Sequence, residues 1–257
     1  MNVWHKLLGI VGLAISVISV FFSVTYSFHY WYSFFIVGSF LFFDYLDLKI
    51  RKDSTLMHPK RFLKIYLLFS LVGGVFDVIL ARRIANLWVY PYLGGILNVA
   101  VPTFVYNPFG GFSIYEMYQV ANQKLRKLSK KIIDFGVIEK IGKFRLSVTM
   151  LITTYFILYS LWPGKLSLFI FSPILVIAVL ILIARATNRK ASSIFSLLLT
   201  SWSAGFLHEL PNIFSQEWIY FPTIGQSILG IPVLVYIIFA GWPLLLSATI
   251  VIYQKIK

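Results

Sequence analysis

Carboxylate side chains are the best candidates for chemistry in this 257-residue chain, because several of them lie inside or beside long apolar segments. Asp77 and Glu209 each lie late in such a segment, His208 precedes Glu209, and Glu217 follows it. A charge at membrane depth costs about 2.5–3.5 kcal/mol on insertion scales, so a carboxylate there indicates a functional site unless it reaches the interface or a partner. We therefore select these four residues as candidate acid–base catalysts. The alternative for Asp77 and Glu209 is capping at the membrane interface.

An aromatic signature follows each acid. It reads Leu87-Trp-Val-Tyr-Pro in the first half of the chain and Glu217-Trp-Ile-Tyr-Phe-Pro in the second. Trp and Tyr are common anchors at membrane interfaces, but their rings can also stack on an apolar substrate or stabilise a developing cation. The candidate substrate-binding residues are Trp88, Tyr90, Glu116, Trp218 and Tyr220. Glu116 lies further inward than the others, where it either faces a polar cavity or marks the inner interface.

Composition places these residues in a membrane protein. The chain is 59% hydrophobic and 12% charged, whereas soluble domains average about 45–50% apolar and 25% charged residues. The net charge of +14 is spread between apolar segments, which argues against a nucleic-acid partner. No cysteine is present and the four histidines are dispersed, so neither a disulfide nor a zinc site is indicated. Nucleotide-binding and common hydrolase motifs are also absent from the sequence, and we expect no cofactor.

Eight apolar segments are long enough to cross a bilayer, at roughly 17–25 residues per crossing. They are 7–28, 30–48, 62–80, 93–118, 146–162, 166–184, 192–210 and 224–253. All but Arg82, Arg83 and Lys165 of the 23 Lys and Arg residues then lie on one side, and cytoplasmic loops carry such an excess. The sequence therefore predicts an all-α, polytopic bundle in the plasma membrane with both termini in the cytoplasm.

An internal repeat divides the chain into two halves. A shift of 130 residues aligns 87–111 with 217–241 and gives eight gapless identities, including Trp88/Trp218, Tyr90/Tyr220 and Pro102/Pro232. We expect two parallel four-helix repeats, residues 1–120 and 146–257, joined by a basic amphipathic connector, residues 121–145. The connector either sets orientation alone or also binds anionic lipids at the cytoplasmic face. Pro102 and Pro232 predict kinks in the fourth and eighth helices.

Three further acids have a simpler interpretation. Asp44 and Asp47 lie at the inner end of the second segment, where Lys49 and Arg51 can neutralise them. Asp53 is expected to pair with lysines in the adjoining loop. Salt bridges therefore explain these acids, with a polar site as the alternative for Asp44 and Asp47.

The stretch HELPNIFSQEWIYFPTIGQSILGIPVLVYIIFAGWP, residues 208–243, resembles segments of small prokaryotic membrane proteins of carotenoid metabolism. These are the lycopene cyclase domain family and the carotenoid hydratase type, which also join an acid, a W-x-Y or W-x-W motif and a Gly-x-Pro entry into a helix. The resemblance implies an isoprenoid-modifying fold and covers about 50 residues in each half. Its matching residues are Trp88, Tyr90, Glu209, Trp218, Tyr220 and Pro232. The cyclase motif Pro-x-Glu-Glu is replaced by Pro232-Val-Leu-Val and Pro102-Thr-Phe-Val, which argues against cyclase activity.

Three function classes follow from these observations. The leading hypothesis is a membrane enzyme or binding protein that acts on an apolar, isoprenoid-like lipid in a pocket between the two halves. The alternative is a small-solute or ion transporter, which the repeat and the broken helices favour, or else a non-catalytic membrane scaffold. A transporter needs a polar path across the bilayer, whereas the candidate acids cluster near one face. The oligomeric state is left open by the sequence.

Overall fold

The computed structural model describes residues 3–84, 86–125, 173–221, 223–228 and 230–256, and these are mostly helical. The helices are α1 (Val3–Tyr26), α2 (Trp31–Arg51), α3 (Pro59–Gly74), α4 (Leu97–Val101), α5 (Asn107–Leu125), α6 (Pro173–Thr187), α7 (Ala191–Ser215), α8 (Val233–Tyr236) and α9 (Trp242–Ile256). Three π-helical segments extend or join them: Val75–Ile84 after α3, Pro102–Tyr106 between α4 and α5, and Ile237–Gly241 between α8 and α9. A short 3-10 helix, Thr55–Met57, precedes α3.

Three of these helical stretches are long and apolar enough to cross a membrane, among the residues that the structure describes. They are Val3–Tyr26, Pro59–Ile84 and Val233–Ile256. This finding confirms the predicted helical class and supports a membrane location. The predicted crossing at 146–162 lies outside the described residues, as does most of the connector, residues 121–145.

Helix α1 buries small residues and exposes large ones. Its buried residues are Gly9, Gly12, Ser16, Ser19 and Ser23. Its exposed side chains include Leu7, Ile10, Val17 and Phe21. Helices in lipid gain little from burying apolar side chains and associate instead through close packing of small residues. The arrangement of α1 is therefore the one expected for a helix that faces lipid on its outer side.

Helices α1 and α2 approach most closely where two glycines meet. A Cβ atom on Gly12 would lie 2.6 Å from the carbonyl oxygen of Gly38, and one on Gly38 would lie 2.7 Å from the carbonyl oxygen of Gly12. The Ser16 hydroxyl, one turn further on, donates to the Gly12 carbonyl at 3.0 Å and lies 3.2 Å from the Ser39 hydroxyl. Close backbone contact at this crossing thus depends on the absence of side chains.

Short antiparallel strands mark one end of the bundle. Strand β1 (Trp88–Val89) pairs with β2 (Ile219–Tyr220), so that Trp88 lies opposite Tyr220 and Val89 opposite Ile219. Strands β3 (Ser227–Ile228) and β4 (Ile231–Pro232) form a hairpin before α8. We call this the hairpin end. The opposite end contains the α2–α3 loop, residues 52–58, and the turn at residues 188–190; we call it the basic end.

A layer of phenylalanine rings fills the bundle between these two ends. The phenylalanine layer consists of Phe40, Phe62, Phe69, Phe109 and Phe112. Ring centroids lie 5.1 Å apart for Phe40 and Phe112 and 4.9 Å apart for Phe62 and Phe112. Gly111 admits Phe69, because a Cβ atom there would lie 2.6 Å from the Phe69 ring. An apolar layer therefore separates the polar groups of the hairpin end from those of the basic end.

Both prolines of the repeated unit coincide with a change in helix geometry. Pro102 begins the π-helical segment Pro102–Tyr106, and Asn107 donates its side-chain amide to the Pro102 carbonyl at 2.8 Å. Pro232 directly precedes α8, which a second π-helical segment, Ile237–Gly241, follows. Backbone groups freed by such breaks need partners inside the protein when the helix lies in lipid. Asn107 supplies one such partner.

Candidate functional site

Asp77 lies in the π-helical segment after α3 and contacts the aromatic signature of its own half. The Trp88 indole N–H donates to Oδ1 at 3.0 Å, and the Tyr90 hydroxyl donates to Oδ2 at 3.2 Å. The Arg82 Nε lies 3.1 Å from Oδ1, and the side chains of Asp77 and Arg82 are only 5% and 8% exposed. Asp77 is therefore a buried carboxylate that is neutralised and bonded through both oxygens.

Asn98 and Tyr90 hold the Arg82 side chain beside Asp77. Its guanidinium donates to the Asn98 side-chain oxygen at 2.5 Å and to the Asn98 carbonyl at 2.6 Å. The same group lies over the Tyr90 ring, 4.8 Å from the centroid. Because these contacts fix it beside Asp77, Arg82 is not free to neutralise a second acid.

Glu209 lies on α7 and contacts the aromatic signature of the second half. The Tyr220 hydroxyl and the Trp242 indole N–H both donate to Oε1, at 3.0 Å and 3.2 Å. The other oxygen, Oε2, is buried without a hydrogen-bond partner, and the residue is 1% exposed. Within the described part of the chain, no lysine or arginine forms an ion pair with Glu209. Glu209 thus differs from Asp77 in having no cation and one free oxygen.

Glu217 lies in the loop between α7 and β2, with both oxygens bonded. The Tyr32 backbone N–H donates to Oε2 at 2.8 Å, and the Tyr106 hydroxyl donates to Oε1. Asn212 fixes this loop by accepting from the Trp218 N–H at 3.2 Å and donating to the Trp218 carbonyl at 2.9 Å. Burial raises the pKa of Glu217 to about 8, although the hydrogen bonds oppose this shift. At neutral pH this side chain is therefore mainly protonated.

His208 joins the two glutamates through tyrosine and tryptophan. Its Nδ1 lies 2.8 Å from the hydroxyl of Tyr32, the residue whose backbone binds Glu217. Its ring centroid lies 4.4 Å from that of Trp242, which binds Glu209. The histidine is 3% exposed, so the network around it is closed to bulk water.

The structure therefore brings most of the candidate residues together at the hairpin end. We call this group the acid–aromatic site: Tyr32, Tyr106, His208, Glu209, Glu217, Trp218, Tyr220 and Trp242. Asp77, Trp88 and Tyr90 adjoin it through the β1–β2 pairing, with 6.0 Å between the Trp88 and Tyr220 ring centroids and 5.5 Å between those of Tyr90 and Tyr106. Sequence reasoning missed Tyr32, Tyr106 and Trp242 as site residues. Only Tyr106 carried a signal, as one of the identities of the repeat.

Glu116 does not belong to this group. It lies nine residues beyond the start of α5, which places it about 13 Å further along the helix axis. Its Oε1 accepts from the Thr55 backbone N–H at 3.1 Å and from the Thr55 hydroxyl, which lies 2.8 Å from the Tyr253 hydroxyl. Glu116 therefore anchors the α2–α3 loop at the basic end, on the far side of the phenylalanine layer.

The remaining acids of the basic end have partners of their own. Asp47 forms the expected ion pair with Arg51, whereas Asp44 accepts from the Leu56 backbone N–H at 2.9 Å. Asp53 pairs with His58 at 2.8 Å, not with the lysines expected from the sequence. Lys52, which directly precedes Asp53, donates instead to the Lys49 carbonyl at 3.3 Å.

A cavity of about 210 Å³ also lies at the basic end, between α5, α7, α9 and the turn at residues 188–190. Its polar lining includes Gln119, Asn122, Asn188, Lys190, Ser193 and Gln254. None of the acid–aromatic residues lines it. The described residues contain no group of three acidic, histidine or cysteine side chains placed to hold a metal ion.

Comparison of the chain with protein-family models, with curated protein sequences and with solved structures finds no match in any of the three. The function is therefore argued from the geometry of the acid–aromatic site.

Proposed function

We propose that the protein binds an apolar, isoprenoid-like lipid at the acid–aromatic site and modifies it by proton transfer from Glu209. The observation that carries this proposal is the state of the Glu209 carboxyl group. It is 1% exposed, one of its oxygens has no partner, and it lies among indole and phenol rings. A carboxyl group in such surroundings suits a substrate that offers no polar atoms of its own.

The chemistry would be protonation of a carbon–carbon double bond. The π electrons of the double bond take the proton from Glu209, which leaves a carboxylate and a carbocation. Aromatic rings stabilise a nearby cation through their π faces, and Trp218, Tyr220 and Trp242 supply such rings. Loss of a proton from a neighbouring carbon to the same carboxylate restores the acid and yields an isomerised or cyclised lipid.

Glu217 and His208 act on this site as positioning residues. Glu217 holds the start of α2 and Tyr106 through its two hydrogen bonds. Because its pKa is raised to about 8, it adds little negative charge beside Glu209 at neutral pH. His208 fixes Tyr32 through the 2.8 Å contact with its hydroxyl.

The proposal includes eight membrane crossings in two repeats, with the site between the two halves. The strand register supports this arrangement, because Val89 pairs with Ile219 and these residues are separated by the same 130 positions as the sequence repeat. A two-fold axis between two repeats pairs a segment of one repeat antiparallel with the equivalent segment of the other. The cytoplasmic placement of both termini rests on the Lys and Arg distribution.

Transport has less support than lipid modification. A transported solute needs a polar route from one end of the bundle to the other. In the described residues the phenylalanine layer of α2, α3 and α5 lies across that direction, and Leu197, Ile250 and the Trp242 ring lie across it at α7 and α9. The acids of the hairpin end and those of the basic end are thus two separate groups. A site at one end suits a ligand that enters from the lipid.

The test uses the wild-type protein, Glu209→Gln, and Glu116→Gln as a matched control at the basic end. Each is purified in mild detergent, its bound lipids are identified by mass spectrometry, and it is then incubated with a membrane isoprenoid extract in D₂O. Wild type and Glu116→Gln should bind an isoprenoid and introduce deuterium into it, whereas Glu209→Gln should bind it without deuteration. Equal deuteration by Glu209→Gln, or recovery of bulk phospholipid alone from all three proteins, would overturn the proposal.

A further inference from the structure

Two buried hydroxyl groups, those of Thr200 on α7 and Ser247 on α9, lie at the same height in the bundle. Packing fixes the register of these antiparallel helices at two levels: a Cβ atom on Gly205 would lie 2.9 Å from the Trp242 ring, and Ser193 and Gln254 line the same cavity. In both pairs, Gly205 with Trp242 and Ser193 with Gln254, the two residue numbers add up to the same total. In antiparallel helices, such pairs lie at the same height because each helix rises by about 1.5 Å per residue. Thr200 and Ser247 share that total and therefore lie at the same height, between the other two levels.

Neither hydroxyl has a hydrogen-bond partner among the described residues, although Thr200 is 1% and Ser247 is 0% exposed. Serines and threonines in helices commonly bond to a carbonyl on the preceding turn, as Ser196 does to Ser192 at 2.7 Å. A buried polar group without a partner costs about 1–3 kcal/mol. Two such groups on facing helices form the kind of polar site that buried water occupies.

We propose that Thr200 and Ser247 bind water between α7 and α9, and that this water enters from the cavity at the basic end. The cavity residues Ser193 and Gln254 lie seven positions away on their respective helices, a rise of about 10 Å. Leu197 and Ile250 are both buried between the two levels, so entering water has to pass these two side chains.

Trp242 lies between this proposed water site and the rest of the acid–aromatic site. Its ring abuts Gly205, and its indole N–H binds Glu209. The level of Thr200 and Ser247 lies five positions, about 7.5 Å, from that of Gly205 and Trp242, so Trp242 stands between the proposed water and Glu209. The role of this water in supplying protons rests on the proposed function, whereas the water site itself does not.

The chain contains no cysteine, so a single introduced thiol can report access at one position. The test variants are Thr200→Cys and Ser247→Cys. Lys190→Cys, at the exposed cavity rim, serves as the accessible control, and Ile65→Cys, 0% exposed in the apolar core, serves as the inaccessible one. Each protein is reconstituted into vesicles and exposed to external Ag⁺, a small thiol-binding cation. Excess Ag⁺ is removed, the protein is denatured and alkylated with a maleimide, and mass spectrometry gives the protected fraction.

We expect both test variants to be protected to the same fraction as Lys190→Cys, because vesicles of mixed orientation expose the basic end of a fixed share of molecules. Protection no greater than that of Ile65→Cys would overturn the water site, as would protection of only one of the two thiols. If the test variants are protected in the share of molecules in which Lys190→Cys is not, Ag⁺ has reached them from the hairpin end, and this result would overturn entry from the basic end. None of these readouts depends on lipid binding or on Glu209, so they separate this inference from the proposed function.

Discussion

Replacement of Glu217 by glutamine should remove a large pH dependence from the stability of the protein. Glu217 is 1% exposed, forms no ion pair in the described residues and accepts two hydrogen bonds. Its pKa is raised by burial from 4.5 to about 8. The folded protein therefore keeps a proton on this side chain in a pH range where the unfolded chain has lost it.

The sign of the effect follows from proton binding. Between the two pKa values the folded state holds more protons than the unfolded state, so the free energy of unfolding falls as the pH rises. This stabilisation is complete below pH 4.5 and is lost progressively as the pH approaches about 8. One pKa unit corresponds to about 1.4 kcal/mol, so the contribution of Glu217 should fall by about 3 kcal/mol between pH 5.5 and 7.5.

The assay is unfolding by sodium dodecyl sulfate in detergent micelles, followed by far-ultraviolet circular dichroism at several pH values. Glutamine resembles the protonated acid in having one acceptor oxygen and one donor group, so Glu217→Gln should fold and lose this slope. Asp53→Asn is the control, because Asp53 is 41% exposed and bonded to His58. A slope in Glu217→Gln equal to that of the wild type between pH 5.5 and 7.5 would refute the reasoning.

Two further predictions concern the packing that holds the site. Arg82→Met should cost about 3–5 kcal/mol of unfolding free energy, because it leaves the buried Asp77 charge unpaired; Arg82→Met combined with Asp77→Asn should recover most of that loss, and equal instability of the single and double variants would contradict the ion-pair argument. Gly12→Ala should cost about 1–3 kcal/mol, because its Cβ atom would lie 2.6 Å from the Gly38 carbonyl oxygen. Gly94→Ala, which has no neighbour within 4 Å, should stay within about 0.5 kcal/mol of the wild type, and an equal loss in both alanine variants would rule out crowding as the cause.

The sequence was sufficient to predict the helical class, and it selected acids and aromatic residues that contact one another within each half. Trp88 and Tyr90 lie near Asp77, and Tyr220 near Glu209, because each acid and its signature are joined by a short stretch of chain. Partners that come from distant helices carry no such local signal. Tyr32 and Trp242 were missed for this reason.

Glu116 shows how local context can mislead. It lies between aromatic residues in the segment IYEMYQ, much as the acids of the hairpin end lie near theirs. Its position along α5 nevertheless places it about 13 Å beyond the start of the helix, where Thr55 binds it. Arg82 entered the sequence analysis only as one of the cations opposite the cytoplasmic side, and the structure buries it against Asp77.

The asymmetry between Asp77 and Glu209 explains why the proposed chemistry belongs to the second half. Both acids bind aromatic side chains of their own half, but among the residues that the structure describes a cation forms an ion pair with Asp77 and none does so with Glu209. At the offset of 130 positions the counterpart of Arg82 is Asn212, and at the offset of 132 that superimposes the two acids it is Phe214. Neither carries a charge, and Asn212 is engaged with the Trp218 backbone. In the proposed two-repeat arrangement, the presence of an arginine in the first half alone therefore distinguishes the structural ion pair of Asp77 from Glu209, an acid with a free oxygen.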